Sequence, residues 1–204
     1  MAGHIIGVAG RKGSGKSTFA SILANDGWEE VAFATVLKDM LKVLFMDAGI
    51  SPPTAVEMVD GSLKEMPTPV LGGKTPRHAM QTLGTEWRDT IDRYLWTNIL
   101  LARIQNRPNM DFVITDVRFP HEVDAIHRAG GKVVKLVGRG NENDLSNHLS
   151  EVEVDTLIAD YVIDNSGDIP DLHTKAVGLG WLVRRANLRA RPDMQDLHAF
   201  LTKE

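Results

Sequence analysis

The 204-residue chain contains no cysteine. Disulfide bridges and thiolate metal sites are therefore excluded, and the redox compartment cannot be read from composition. Basic excess is also missing: the formal net charge of −4 at pH 7 argues against a surface devoted to nucleic-acid phosphates. No apolar stretch is long enough to cross a bilayer, and the opening runs into "HIIGVAG" without a basic segment or a cleavage-like site. Internal repeats and low-complexity runs are absent as well. The expectation is a soluble, cytoplasmic protein with neither nucleic acid nor membrane as partner. An apolar share of 43% is ordinary for a globular chain, and the length suits one sizeable domain over residues 1–204.

Alternation of strand and helix patterns organises the chain. His4 to Ala9 reads as a strand ending in glycines, and a helix with Phe19, Ile22 and Leu23 on one side follows Gly15. Trp28 to Ala34 suits a second strand and Thr35 to Gly49 a helix closed by glycine. From Ser51 to Lys74 the periodicity disappears among prolines and glycines, so a long, functional or mobile loop is expected. Helical spacing returns at Thr75, with Pro76 suited to the first helical position, and a further helix covers Leu95 to Gln105. Asp111 to Asp116, Lys132 to Gly138 and Asp160 to Asn165 read as strands, with "PHEVDAIHRAGG" as a helix between the first two. Such alternation implies right-handed crossovers and a doubly wound, mostly parallel α/β sheet, whose ligands gather at the carboxyl ends of the strands. The arginines near the end, Arg184, Arg185, Arg189 and Arg191, read as a solvated helix or tail.

The segment Gly10 to Ser17, "GRKGSGKS", fits G-x-x-x-x-G-K-[ST] in full and lies between a predicted strand and a predicted helix, where that pattern carries its chemistry. Gly10, Gly13 and Gly15 let the backbone turn tightly enough to aim N–H groups at phosphate oxygens, with a helix amino terminus behind them. Lys12, Ser14 and Thr18 belong to the same cradle. Lys16 supplies a charge between the outer phosphates, and the Ser17 hydroxyl is the expected magnesium ligand. The loop identifies a nucleotide triphosphate site. It does not say whether the chain is a switch, a motor or a kinase.

A second cluster lies between Thr75 and Asp92. At about 100° per residue, Arg77, Gln81, Gly84 and Arg88 fall in one stripe roughly 60° wide, beside an apolar stripe of Met80, Leu83, Trp87 and Ile91. Leu83 and Trp87 are expected in the core. Two arginines on one edge suit a phosphate, because guanidinium donates in a planar fork, although solvated arginines on an amphipathic helix would show the same pattern. Asp116 ends an apolar strand, a position from which an acid can hold magnesium beside Ser17, and Arg118 follows two residues later.

Four segments, "GVAGRKGSGKS", "TPRHAMQTLGTEWRD", "VITDVRFPHEVDAIHRAGG" and "HLSEVE", resemble in order the signature segments of phage-type deoxynucleoside monophosphate kinases. The resemblance runs to about Gly167. It implies the nucleoside monophosphate kinase branch of the P-loop fold, with ATP as phosphoryl donor, magnesium as cofactor and a deoxynucleoside monophosphate as acceptor. By position it implies that Arg77, Gln81, Thr85, Glu86 and Arg88 bind the acceptor, within an acceptor-binding helical region over 35–108. Asp116 and Arg118 would lie between acceptor and donor. Arg139 would be a catalytic residue opening a lid-like segment over 139–150. His148, Ser150 and Glu151 match an H-x-S-E segment that contacts substrate, although the same residues would also cap a helix. Asn165 falls in the loop on the adenine side. One departure is Ser17, where several relatives carry Asp. A homodimer is compatible with the family.

Two other readings stand beside this one. A related scaffold could phosphorylate another small phosphorylated acceptor, of the phosphomevalonate or dephospho-coenzyme A type, and a loop of this kind also serves nucleotide-dependent switches and DNA-associated ATPases. The second arginine cluster and the acidic net charge favour a kinase of small molecules. No general base is needed, since an acceptor phosphate oxygen is already anionic near neutral pH. The remaining histidines, His78 and His127 among them, read as solvated helix residues.

Overall fold

The computed structural model describes residues 3–139 and 154–185. The chain divides into two compact units, one built from Met1–Ala32 with Leu101–Glu204 and the other from Phe33–Leu100.

The first unit is built on five parallel strands: β1 (Ile5–Ala9), β2 (Trp28–Val31), β3 (Asp111–Val117), β4 (Lys132–Val137) and β5 (Tyr161–Asp164). Their order across the sheet is β2-β3-β1-β4-β5, with every pairing parallel. Every residue of β1 is buried, as a central parallel strand covered on both faces requires. One face packs Ile6, Val8, Val113, Val134 and Ile163 against Phe19 and Leu23 of α1 (Lys16–Asn25) and Leu172 and Leu179 of the helix that spans Ile169–Arg185. On the opposite face, the next helix after β3 (Pro120–Arg128) comes so close that a side chain at Gly7 would run into Ile126. The doubly wound sheet of a P-loop protein results, entirely parallel among the described residues.

The second unit is helical. It holds α2 (Ala34–Asp47), α3 (Pro52–Val59), two short 3-10 turns at Ser62–Glu65 and Pro69–Leu71, α4 (Pro76–Thr90) and the start of α5 (Leu95–Gln105). Further along the chain come α6 (Pro120–Arg128) and α7 (Ile169–Arg185). Leu41 and Phe45 pack with Ala55, Met58 and Val59, while Val36 and Leu37 pack with Trp96; Met80 and Leu83 of α4 touch both groups. Asp60 receives Lys38 at 2.8 Å and Lys42 at 2.9 Å, pinning α2 to the end of α3. Burial alone would raise the Asp60 carboxyl, but hydrogen bonds and charge from the two lysines outweigh it and hold it below its ordinary value.

Three expectations need correction. The segment Ser51 to Lys74 is no structureless loop: the Ser51 side chain accepts from the Thr54 amide at 3.4 Å, Pro52 starts the helix, and Ala55, Met58 and Val59 bury one face of α3. Proline at a first helical position reads as a breaker when its preceding cap is overlooked. Trp87 is 38% exposed rather than in the core. The buried place beside Leu37 is taken by Trp96, whose ring stacks on Trp87 at 6.0 Å and 15° and whose Nε1 donates to the Gly84 carbonyl at 3.1 Å. Ile91, at 62% exposure, lies outside the core too. Finally, Arg184 is not a free surface residue. It donates to Asp111 and Asp26 at 2.7 Å each and lies over the Trp28 ring at 5.0 Å. Arg189 and Arg191 fall outside the described residues.

Candidate active site

Parallel pairing decides where the functional residues meet. Ala9 at the end of β1 lies in register with Val117 of β3 and Lys135 of β4, so the carboxyl ends of these strands share one edge of the sheet. The phosphate loop begins at that edge. Ser14 N donates to the Arg11 carbonyl at 3.1 Å, closing a turn, and Phe19 N donates to the Gly15 carbonyl at 2.9 Å, starting α1. Gly15 is the N-cap, with φ +97°, in a region that favours glycine. A β-carbon there would also collide with the Asn165 amide.

Lys16 is the first residue of α1. Its Nζ donates to the carbonyls of Gly10 at 2.6 Å and Arg11 at 2.8 Å, which holds the ammonium over the loop. Ser17 and Thr18, like Lys12 and Gly13, are exposed, whereas Ser14 is buried with its hydroxyl lacking a hydrogen-bond partner among the described residues. Asn165, at the end of β5, is 3% exposed and donates from Nδ2 to the Ser14 carbonyl at 2.9 Å. The side chain assigned to an adenine-side loop thus supports the phosphate loop from the sheet. From within the loop, Arg11 Nε donates to both oxygens of Asp155 at 3.1 Å. That hydrogen bond is the main reason the Asp155 carboxyl lies below its ordinary value.

Asp116 is half-buried near the end of β3 and Arg118, just beyond it, is exposed. A residue that the sequence reading missed stands beside them. Glu122, in the first turn of α6, is 8% exposed, and its Oε2 accepts the backbone N–H of Arg118 at 2.7 Å and of Phe119 at 3.0 Å. Burial, and then the Asp116 charge, push the Glu122 carboxyl up to about 8 against the pull of the two backbone donors and of Arg118. Phe119 stacks on His121 at 5.4 Å and 15°. A glutamate three residues past the N-cap, behind Pro120, is a capping pattern that was legible in "FPHE".

Arg139 is exposed and donates to the Gly167 carbonyl. His148, Ser150 and Glu151, and the segment 140–150 expected as a lid, lie outside the described residues. His127 is paired rather than simply solvated: its Nε2 lies 2.7 Å from Asp160, which also accepts from Lys132 Nζ at 2.8 Å.

The acceptor candidates belong to the helical unit. Arg77, Gln81, Thr85, Glu86 and Arg88 all lie on α4, which begins at a Thr75 N-cap accepting from His78 N at 3.1 Å. Arg77 pairs with Glu65, and Arg88 Nε donates to Asp89 at 3.1 Å. Gln81, Thr85 and Glu86 are exposed. Around Gly84, a β-carbon would meet only Leu37, at 3.6 Å, which leaves that side of the arginine stripe open.

Among the described residues no group of three or more His, Cys, Asp or Glu could hold a metal. The Ser17 hydroxyl, at the start of α1, and the Asp116 carboxylate, near the end of β3, are oxygen donors of the kind that suits a hard cation.

Comparison with known proteins decides the family. A family model described as deoxynucleotide monophosphate kinase matches residues 73–176, from just before α4 into α7. A protein of Acanthamoeba polyphaga mimivirus with the same description is 33% identical over 192 residues, covering 85% of this chain and 94% of that one.

The chain belongs to the deoxynucleotide monophosphate kinase family.

The deoxynucleotide monophosphate kinase of Escherichia phage RB69 is 30% identical over 103 residues, covering 48% of this kinase and 42% of its own length. Among solved structures, a dephospho-CoA kinase from Campylobacter jejuni aligns with a TM-score of 0.49 and 17% identity, over 88% of this kinase and 97% of that chain. The matched segment in this kinase contains both the α4 arginines and the β3 edge with Asp116 and Arg118, and the mimivirus match extends over most of the chain. No helix among the described residues is long and apolar enough to cross a membrane.

Proposed function

We propose that this kinase transfers the terminal phosphoryl group of ATP to a deoxynucleoside 5′-monophosphate with magnesium as cofactor. The observation that carries the reading is the complete phosphate loop, supported by Asn165, in a chain of the deoxynucleotide monophosphate kinase family. An oxygen of the acceptor phosphate attacks the γ-phosphorus of ATP while the bond to the β–γ bridging oxygen breaks, giving ADP and a deoxynucleoside diphosphate. Such a reaction needs positioning and charge neutralisation more than covalent help.

In this reading, the loop amides of Gly10 to Thr18 and the Lys16 ammonium hold the donor phosphates. Ser17 and Asp116 would hold magnesium, which when bound neutralises charge on the transferring group. Arg77, Gln81 and Arg88, with Thr85 and Glu86, take the acceptor, and guanidinium forks suit its phosphate. Arg118 and Arg139 add positive charge around the transferred group, and exclusion of water protects ATP from hydrolysis. The acidic net charge makes a polynucleotide an unsuitable acceptor.

A panel of deoxyribonucleoside and ribonucleoside monophosphates, each assayed for ADP release with magnesium and ATP, tests the proposal. Turnover that requires a monophosphate, with higher kcat/KM for at least one deoxynucleotide than for its ribose counterpart, is the expected result. Discrimination against an added hydroxyl in an apolar pocket reaches about a hundredfold. Equal or better use of all ribonucleotides would remove the deoxynucleotide assignment, and no use of any nucleotide acceptor would remove the function.

A further inference from the structure

Glu122 is more buried than its role at a helix start requires. A glutamate in the first turn of a helix ordinarily reaches back to the N-cap amide from the solvent side, where it keeps its hydration. Here the residue is 8% exposed, and placing a polar carboxyl group away from water is costly unless its lone pairs are used. One oxygen takes two consecutive amides, Arg118 at 2.7 Å and Phe119 at 3.0 Å. These are the first two residues after β3, and Phe119, as N-cap of α6, offers no side-chain acceptor of its own. The other side of this turn is also fixed: His121, 6% exposed, stacks on Phe119. Ala9 and Val117 are in register, so the turn held by Glu122 leaves the sheet beside the strand that feeds the phosphate loop.

We infer that Glu122 is a positioning residue for phosphoryl transfer: by accepting the amides of Arg118 and Phe119, it fixes the backbone from which the Asp116 and Arg118 side chains leave the end of β3. The inference rests on the kinase reading above and adds to it a residue that need touch neither nucleotide. A rigid backbone at this point matters because misplacement of about 1 Å in a reacting assembly costs on the order of a hundredfold in rate. Geometry is the requirement, so an acceptor oxygen of the same reach should serve nearly as well as the glutamate carboxyl, whereas a shorter acid should not.

The test compares wild type with Glu122→Gln, Glu122→Asp and Glu122→Ala by steady-state kinetics, thermal melting and amide hydrogen exchange. Glutamine keeps an oxygen at the same distance and should hold kcat within about threefold of wild type. Aspartate is shorter by one methylene and should lose about ten- to a hundredfold in kcat, with KM for both nucleotides within about threefold and a lowered melting temperature that still leaves the protein folded under assay conditions. Arg118 and Phe119 amides should exchange slowly in wild type and Glu122→Gln, and rapidly in Glu122→Asp and Glu122→Ala. If alanine fails to fold, the aspartate variant decides alone. Wild-type kcat in Glu122→Asp would overturn the inference, and so would a kcat loss in Glu122→Gln as large as that in Glu122→Asp, which would show that an acceptor oxygen of the same reach is not enough. Wild type inactive on every monophosphate would overturn the kinase reading instead. The exchange comparison still decides the inference in that case: equal protection of Arg118 and Phe119 in all four proteins overturns it.

Discussion

Asn165 Nδ2 donates to the Ser14 carbonyl at 2.9 Å, joining residues 151 positions apart. This bond anchors the middle of the phosphate loop to the end of β5, and the amide nitrogen occupies the space that a β-carbon on Gly15 would need. Asn165→Ala removes the donor from a buried carbonyl, a loss of about 1–3 kcal/mol. Nucleotide affinity measured by calorimetry should fall by about tenfold or more while the fold persists. Asn165→Asp should be worse, since a carboxylate would set an acceptor against an acceptor. Wild-type ATP affinity in both variants would show that the loop holds its shape without this bond.

Lys16 reaches back over the loop to the carbonyls of Gly10 and Arg11, which places its charge above the cradle. Lys16→Ala should leave the melting curve intact and lower turnover by about two to three powers of ten, the scale of removing one preorganised stabilising donor. Near-normal turnover in the folded variant would take Lys16 out of its role.

The donor half was legible because it is written in local order: strand, glycine loop, helix. Asp116 and Arg118 were legible as a strand end, and α4 as a periodic helix with a Thr75 cap. What escaped was non-local. Asn165 looked like a turn former, and only the parallel sheet brings it under Ser14. Glu122 was hidden by its ordinary place in a capping pattern, since burial is not encoded there. Trp87 was assigned to the core by periodicity, but Trp96, a residue of the next helix, fills that place. Helix α3 was concealed by the prolines that begin it.

Oxygen donors from Ser17 and Asp116 suit magnesium. Turnover should disappear with EDTA and return with magnesium. Asp116→Asn, which keeps shape but removes charge, should raise the magnesium concentration needed for half-maximal activity or abolish activity. Manganese titration followed by paramagnetic relaxation of water protons offers a readout independent of turnover and should show weaker binding in the variant. Unchanged metal dependence by both measures would leave Asp116 as a turn former.

Arg88 separates acceptor binding from donor binding. Its side chain keeps 22% of its surface exposed beside Asp89, on the helix that also carries Arg77 and Gln81. Arg88→Ala should weaken binding of the acceptor monophosphate by about tenfold or more, the scale of a charge-assisted hydrogen bond, while ATP affinity by calorimetry stays near wild type. Lysine should rescue poorly, because it keeps the charge and loses the planar fork. Equal loss of both ligands would assign the helix a folding role.

Asp111 makes a pH-dependent contribution to stability. It begins β3 and accepts from Arg184 Nε at 2.7 Å, from the His4 amide at 2.8 Å and from the His4 ring at 2.9 Å. Burial alone would raise its carboxyl, but the Arg184 and His4 hydrogen bonds outweigh burial and hold it below its ordinary value. A depressed folded-state value means that the ionised carboxylate stabilises the fold above the unfolded value of about 4, and that this stabilisation is lost as pH falls through the lower, folded value. Asp111→Asn should therefore cost about 1.5–3 kcal/mol in urea unfolding at pH 7, the range for hydrogen bonds to a charged group. The gap between variant and wild type should stay constant down to about pH 5 and narrow below pH 4, where wild type too becomes protonated. A gap that does not narrow would mean that Arg184 and His4 hold the Asp111 carboxyl equally well whether or not it is ionised.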